Sequence, residues 1–224
     1  IGQGMSIFLV RYSIFKYFVQ YIPHMNYTYL ALGDSYTIGE SVPLYESFPY
    51  RAVRELRLAG YEFSAPEIIA RTGWTTDELQ QGIGQYPLLK GYQFVSLLIG
   101  VNNQYRGRSV SEYASQFESL LQQAVGFAGN ECNHVFVLSI PDWSVTPFAE
   151  GRDRQQIARE IDAFNEAASA IAIQKRVHYL NITKGTREAA ADKSLLAADQ
   201  LHPSGKEYAR WASQLAAGII NQIK

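Results

Sequence analysis

A serine, a histidine and an aspartate stand in this chain where they could pass one proton between them. Ser35 follows Gly33 and Asp34 at the end of residues 27–32, an apolar, aromatic run of strand length. A serine at a strand end has its hydroxyl beside backbone N–H groups that can receive an oxyanion. Taken alone, Gly-Asp-Ser is equally a turn string, with Ser35 as a helix cap. A second stretch, Asp199-Gln200-Leu201-His202-Pro203-Ser204-Gly205, lies near the other end of the chain. An aspartate and a histidine three apart on one loop can both turn inward. The carboxylate then orients the imidazole and stabilises the imidazolium formed when it takes a serine proton. The same loop alone also reads as an exposed helix start. Acyl transfer further needs donors aimed at the tetrahedral oxygen, each contributing about 3–4 kcal/mol to the transition state. The Ser35 amide, the Gly73 amide and the Asn102 carboxamide are the candidates. A turn glycine and a turn asparagine are the plainer reading of the last two.

The elements that must position these groups follow from apolar periodicity. Residues 92–99 and 135–140 are continuous apolar runs, as expected of strands buried on both faces. Residues 66–71 and 177–182 read as shorter strands. Helical spacing predicts helices over 48–60, 109–128, 153–174 and 204–223, a shorter one over 76–81 capped by Thr76, and another over 187–191. Strands alternate with helices and no internal repeat interrupts them. The expectation is a three-layer α/β/α domain with a mostly parallel sheet of about five strands, flavodoxin-like in arrangement. Such sheets place their chemistry at the strands' C-terminal ends. There Asp34-Ser35, Thr72-Gly73-Trp74, residues 100–103 and residues 141–148 converge.

Composition narrows the function classes. The 224 residues carry a net charge of −1 without a long block of one sign, so no nucleic-acid footprint is visible. Cys132 is the single cysteine, which leaves no intramolecular disulfide and no thiolate metal site within the chain. The histidines at 24, 134, 178 and 202 are widely spaced, unlike a zinc helix. His24, His134 and His178 read as structural or surface side chains, and Asp142 as a loop or cap residue. No cofactor or metal is expected.

In that order, Gly33-Asp34-Ser35, Gly73, Gly100-x-Asn102 and Asp199-x-x-His202 resemble the blocks of the SGNH/GDSL hydrolase family. The resemblance covers about residues 27–222, and the α/β/α order agrees with that family's fold. It implies Ser35 as nucleophile, His202 as general base and acid, and Asp199 as its orienting partner. It also implies an oxyanion hole from the Ser35 amide, the Gly73 amide and the Asn102 side chain, and ester hydrolysis without a metal. Two positions depart from the family pattern. Tyr36 stands where leucine is usual, and Asn103 stands where an aspartate is common.

The expectation is therefore a serine hydrolase of carboxylic esters, a lysophospholipase or a short-chain acyl esterase. The alternatives are a carbohydrate O-acetyl esterase and a non-catalytic binding domain on the same fold. Asn103, Tyr105, Trp143 and Phe148 are candidate substrate-binding residues, with a self-packed aromatic loop as the other reading of the last two. Arg106 and Arg108 read as an anion or sugar contact, or as a solvated loop. Residues 25–224 form the single domain. Residues 1–24 are an apolar extension whose first four residues, ahead of Met5, read as a cloning remnant. The run 6–22 contains Arg11, Lys16 and Gln20, and matches neither a secretory signal nor a membrane span. It reads as an extra packed element, as an oligomer or membrane contact, or as a degraded targeting segment. The compartment stays open, with a slight lean to cytoplasm.

Overall fold

The computed structural model describes residues 26–89 and 91–224. The expectations for residues 1–24, the extension and its possible membrane or oligomer contacts, lie outside the described residues. In chain order the elements are β1 (Tyr29–Asp34), α1 (Ser35–Ile38), α2 (Phe48–Leu58), β2 (Glu67–Arg71), α3 (Thr76–Ile83) and β3 (Phe94–Leu98). They continue with α4 (Val101–Tyr105), α5 (Val110–Phe127), β4 (Val135–Leu138), α6 (Arg154–Gln174), β5 (His178–Leu180), α7 (Thr183–Thr186) and α8 (Gly205–Ile223). Short 3-10 turns fill several of the connections.

The five strands are all parallel, in the order β2-β1-β3-β4-β5. Every residue of β1, β3 and β4 is buried, which is why those segments read as unbroken apolar runs. Helices α2 and α8 pack on each other, and α5 packs on both α3 and α6, giving the two outer layers of the α/β/α sandwich. Trp211, Tyr29, Tyr113, Tyr208, Phe48 and Phe94 are the largest side chains sealed inside. The chain passes from β1 outward to β2, then returns across β1 to β3. That reversal opens a crevice beyond the ends of β1 and β3, where doubly wound sheets hold their ligands.

Local chemistry explains where the structure departs from the pattern. The apolar run 27–32 was expected to break at Gly33, yet β1 continues to Asp34, which pairs with Arg71 of β2. Gly33 is needed for this, because a Cβ there would lie 2.1 Å from Thr37 Oγ1 and 2.5 Å from the Leu98 carbonyl oxygen. The strand end can then tuck under α1, which begins at Ser35 with no loop between. Asp34 is its N-cap and accepts the Tyr36 N–H at 3.0 Å. The cap of α3 is Thr75 rather than Thr76. Thr75 and Glu78 form a reciprocal capping box, so Thr76 is already the first helical residue. Residues 100–103, expected as a strand-end turn, instead open the short helix α4, with Gly100 as its N-cap.

Candidate active site

β1 delivers Ser35 to the crevice, and the loop before α8 delivers His202. Ser35 is 5% exposed, and its Oγ lies 3.0 Å from His202 Nε2. On the other side of the ring, His202 Nδ1 lies 2.6 Å from Asp199 Oδ2. The sequence separation between Ser35 and His202 is 167 residues. Asp199 is fixed by its own turn: its Oδ1 accepts the Leu201 and His202 amides, each at 3.0 Å. The Ser41 hydroxyl donates to Asp199 Oδ2 at 2.7 Å. Burial pushes the Asp199 carboxyl up, but the hydrogen bonds from His202, Leu201 and Ser41 outweigh it and hold it at about 2. A charged carboxylate at Nδ1 places the proton on that nitrogen and leaves Nε2 to accept from the Ser35 hydroxyl. The Tyr36 ring covers the imidazole, with centroids 5.0 Å apart.

Gly73 and Asn102 reach the same crevice from β2 and β3. Ser35, Gly73, Asn102 and His202 all line one cavity of about 180 Å³. Gly73 has φ +84°, and the nearest atom to a built Cβ is Arg106 Nη2 at 3.8 Å. Backbone conformation, not crowding, therefore selects glycine there. The Asn102 amide donates to the Trp74 carbonyl at 2.9 Å and approaches Asp34 Oδ2 at 3.4 Å, which pins its carboxamide at the cavity wall. Asp34 is fully buried. Desolvation raises its carboxyl to about 7, against the hydrogen bonds from the Tyr36 amide and Asn102.

The candidate pocket residues divide. Tyr105, Trp143 and Phe148 line the cavity together with Tyr36, Val101, Leu201 and Thr72. Trp143 is buried and its indole N–H donates to Gln104 Oε1 at 2.8 Å. Tyr105 and Phe148 stand at the rim, 44% and 43% exposed. Asn103 is not a pocket residue. It is fully buried one helical step away from Asn102, accepts the Thr76 N–H at 3.1 Å and donates to Thr76 Oγ1 at 2.7 Å. Its amide fastens the start of α3 to α4. Arg106 and Arg108 do not offer free cations: they pair with Glu78 at 3.0 Å and Asp77 at 2.7 Å. Asp142 caps a 3-10 turn through the Ser144 amide, as expected of a cap, and also binds Arg187 at 2.8 Å.

Two participants escaped the sequence reading. Ser41 carries no motif. Arg152 stacks over the rings of Tyr105, Trp143 and Phe148, 5.0, 5.4 and 5.8 Å from their centroids. A basic residue shortly after an aromatic loop was the one available signal. Among the described residues, no group of three or more His, Cys, Asp or Glu side chains could hold a metal ion. No helix among them is long and apolar enough to cross a membrane.

The model of the GDSL-like lipase/acylhydrolase family matches residues 31–210. No curated protein matches the chain. Solved structures do. TesA superposes with a TM-score of 0.66 at 19% identity, over 86% of this chain and 97% of its own. The lipase/acylhydrolase from Enterococcus faecalis gives 0.66 at 18% identity, over 88% and 95%. Axe2, an acetylxylan esterase from Geobacillus stearothermophilus, gives 0.68 at 16% identity, over 88% and 96%. At these identities the likeness is one of fold.

Proposed function

The chain belongs to the GDSL-like lipase/acylhydrolase family, and from that premise we propose that it hydrolyses carboxylic esters through an acyl intermediate on Ser35. The observation that supports this most is the continuous relay from Ser35 Oγ through His202 to Asp199, at 3.0 and 2.6 Å. His202 Nε2 removes the hydroxyl proton as Ser35 attacks the ester carbonyl. Asp199 stabilises the imidazolium without taking its proton. The tetrahedral oxygen is met by the Ser35 and Gly73 amides and the Asn102 carboxamide. Collapse expels the alcohol, which takes its proton from His202. Water enters, His202 deprotonates it, and the acid leaves with Ser35 restored.

A cavity of about 180 Å³ lies below the ~300–1,000 Å³ typical of pockets for larger ligands, which supports a short acyl group. A second reading is favoured by the rim. The half-exposed rings of Tyr105 and Phe148 suit a sugar face in the leaving alcohol, as in an O-acetyl esterase, and Axe2 shares the fold.

Hydrolysis of nitrophenyl acetate, butyrate, octanoate and palmitate tests the reading. Acetate and butyrate are expected to turn over faster than palmitate. Ser35→Ala and His202→Ala should each lower kcat by roughly 10⁴-fold or more, and the double variant should be little worse than either. Asp199→Asn should cost less. Wild-type turnover by Ser35→Ala would end the proposal. A chain that neither turns over any ester nor labels with a fluorophosphonate would be a binding domain.

A further inference from the structure

The segment that carries Ser35 grips the rest of the site at more than one point. α1 ends at Gly39, whose left-handed backbone turns the chain back so that the Gly39 and Glu40 amides bond the Ser35 carbonyl. Glu40 then accepts the Thr72 hydroxyl at 2.5 Å, on the residue just before Gly73. Ser41 reaches Asp199 Oδ2 at 2.7 Å, across a separation of 158 residues. To do so Ser41 adopts φ +64°, a backbone conformation that non-glycine residues seldom take. Strained backbone of this kind persists where surrounding contacts hold it and clusters at functional sites.

The Asp199 carboxylate has four donors. The Leu201 and His202 amides fill Oδ1, while the His202 imidazole and the Ser41 hydroxyl fill Oδ2. Three of the four belong to the loop of Asp199 itself. Ser41 alone comes from the segment that holds Ser35, and it shares an oxygen with the imidazole.

We propose that Ser41 is a positioning residue: its hydroxyl fixes the Asp199 carboxylate against the His202 imidazole and ties the acid–base loop to the segment that carries the nucleophile. This rests on the reading of Ser35, His202 and Asp199 given above. Without the hydroxyl, Asp199 Oδ2 keeps one donor, and the carboxylate is free to rotate about its Oδ1 contacts. Its charge is also less shared, so it draws the imidazolium proton more strongly. Tyr36 covers the imidazole, and the charges of Asp34, Asp199 and Asp142 all act on the Tyr36 phenol; Glu40 is bonded to Thr72, and Asp142 is paired with Arg187. None of these neighbours donates to Asp199 in place of Ser41.

Three substitutions separate the hydroxyl from the backbone. Ser41→Gly removes the donor and accepts the positive φ. Ser41→Ala removes the donor and keeps the strain. Ser41→Asn restores a donor in a residue that tolerates the left-handed region. Ser41→Gly should lower kcat on nitrophenyl butyrate by about 10-fold with KM within about twofold. The acid limb of its kcat/KM profile should move up by about half a pH unit. Ser41→Asn should recover kcat to within about threefold and return the limb toward wild type. Wild-type kcat and pH profile in Ser41→Gly would overturn the proposal, even if Ser41→Ala were slow or failed to fold, because strain alone would then account for the site. Ser35→Ala is measured alongside. Its inactivity confines such a failure to Ser41, whereas turnover without Ser35 would bring down the triad reading itself.

Discussion

The polar wall of the cavity is held atom by atom, and the aromatic wall is held by surface contact. Ser35, His202 and Asn102 have named hydrogen-bond partners at defined distances, drawn from three strand ends and one loop. Tyr105, Trp143 and Phe148 meet through ring contacts of 5.5 to 6.2 Å between centroids. Only the buried Trp143 is tethered by a bond to a core side chain, Gln104. Hydrogen bonds fix direction, and reacting atoms need direction. Ring packing fixes volume and tolerates small shifts, and an acyl chain or alcohol needs volume. The polar wall should therefore control kcat, and the aromatic wall KM.

The sharpest way to break that division is Asn102→Ala. On the proposed mechanism the Asn102 carboxamide, besides its bond to the Trp74 carbonyl, meets the oxygen as it turns tetrahedral, and so stabilises the transition state more than the ground state. The variant should lose roughly 10²–10³-fold in kcat with KM little changed. A drop no larger than that of a rim aromatic would erase the distinction between the walls. Asn103→Ala is the natural contrast, because its neighbouring amide bonds Thr76 inside the core. Its loss should appear in stability before it appears in rate.

The contrast between those two asparagines also shows what the sequence could and could not say. Ser35 was legible because an apolar strand ends on it, and Asp199-x-x-His202 because both groups sit on one short loop. The sheet was legible because strands buried on both faces leave uninterrupted apolar runs. The family blocks singled out Asn102, yet Asn103 still read as a substrate contact, because nothing local shows that α4 turns one toward the cavity and the other inward. Arg106 looked available because its partner, Glu78, is 28 residues away, and Arg108 because the closer of its two partners in space, Asp77, is 31 residues away. Ser41 was invisible for the same reason. Contacts made across the sheet's crossovers leave no local spacing to read.

A second prediction concerns what the polar wall costs the fold. Asp34 is sealed between Ser35 and Asn102, and desolvation raises its carboxyl from 3.8 to about 7. The folded protein thus keeps this proton to a higher pH than the unfolded chain does. Between those two values the folded state binds more protons, so stability falls as pH rises from about 4 to about 7. The loss is at most roughly 4 kcal/mol. Urea unfolding at pH 5 and pH 7.5, on wild type and Asp34→Asn, isolates the contribution, because other titrating groups cancel in the difference. Wild type should lose more stability across that interval than the variant. Parallel behaviour of the two would mean that Asp34 stays ionised in the fold, with its charge carried by the Tyr36 amide and Asn102.

The smallest effect is expected from the rim. Phe148 is 43% exposed and makes ring contacts to Tyr105 and Trp143 beneath the Arg152 guanidinium. Removing it takes away one side of the opening without touching the relay. Phe148→Ala should raise KM for nitrophenyl butyrate about fivefold, roughly the 1 kcal/mol of a partly buried aromatic contact, while kcat stays within about twofold. A fall in kcat at constant KM would place the aromatic wall in the reaction machinery and break the division proposed here. The same variant assayed on an acetylated sugar reads the rim directly. If Tyr105 and Phe148 stack against a sugar alcohol, the KM penalty should be larger on that substrate than on nitrophenyl acetate, since both share the acetyl group and differ only in what the rim would hold. Equal penalties would remove the sugar reading and leave the wall as a boundary of the acyl cavity.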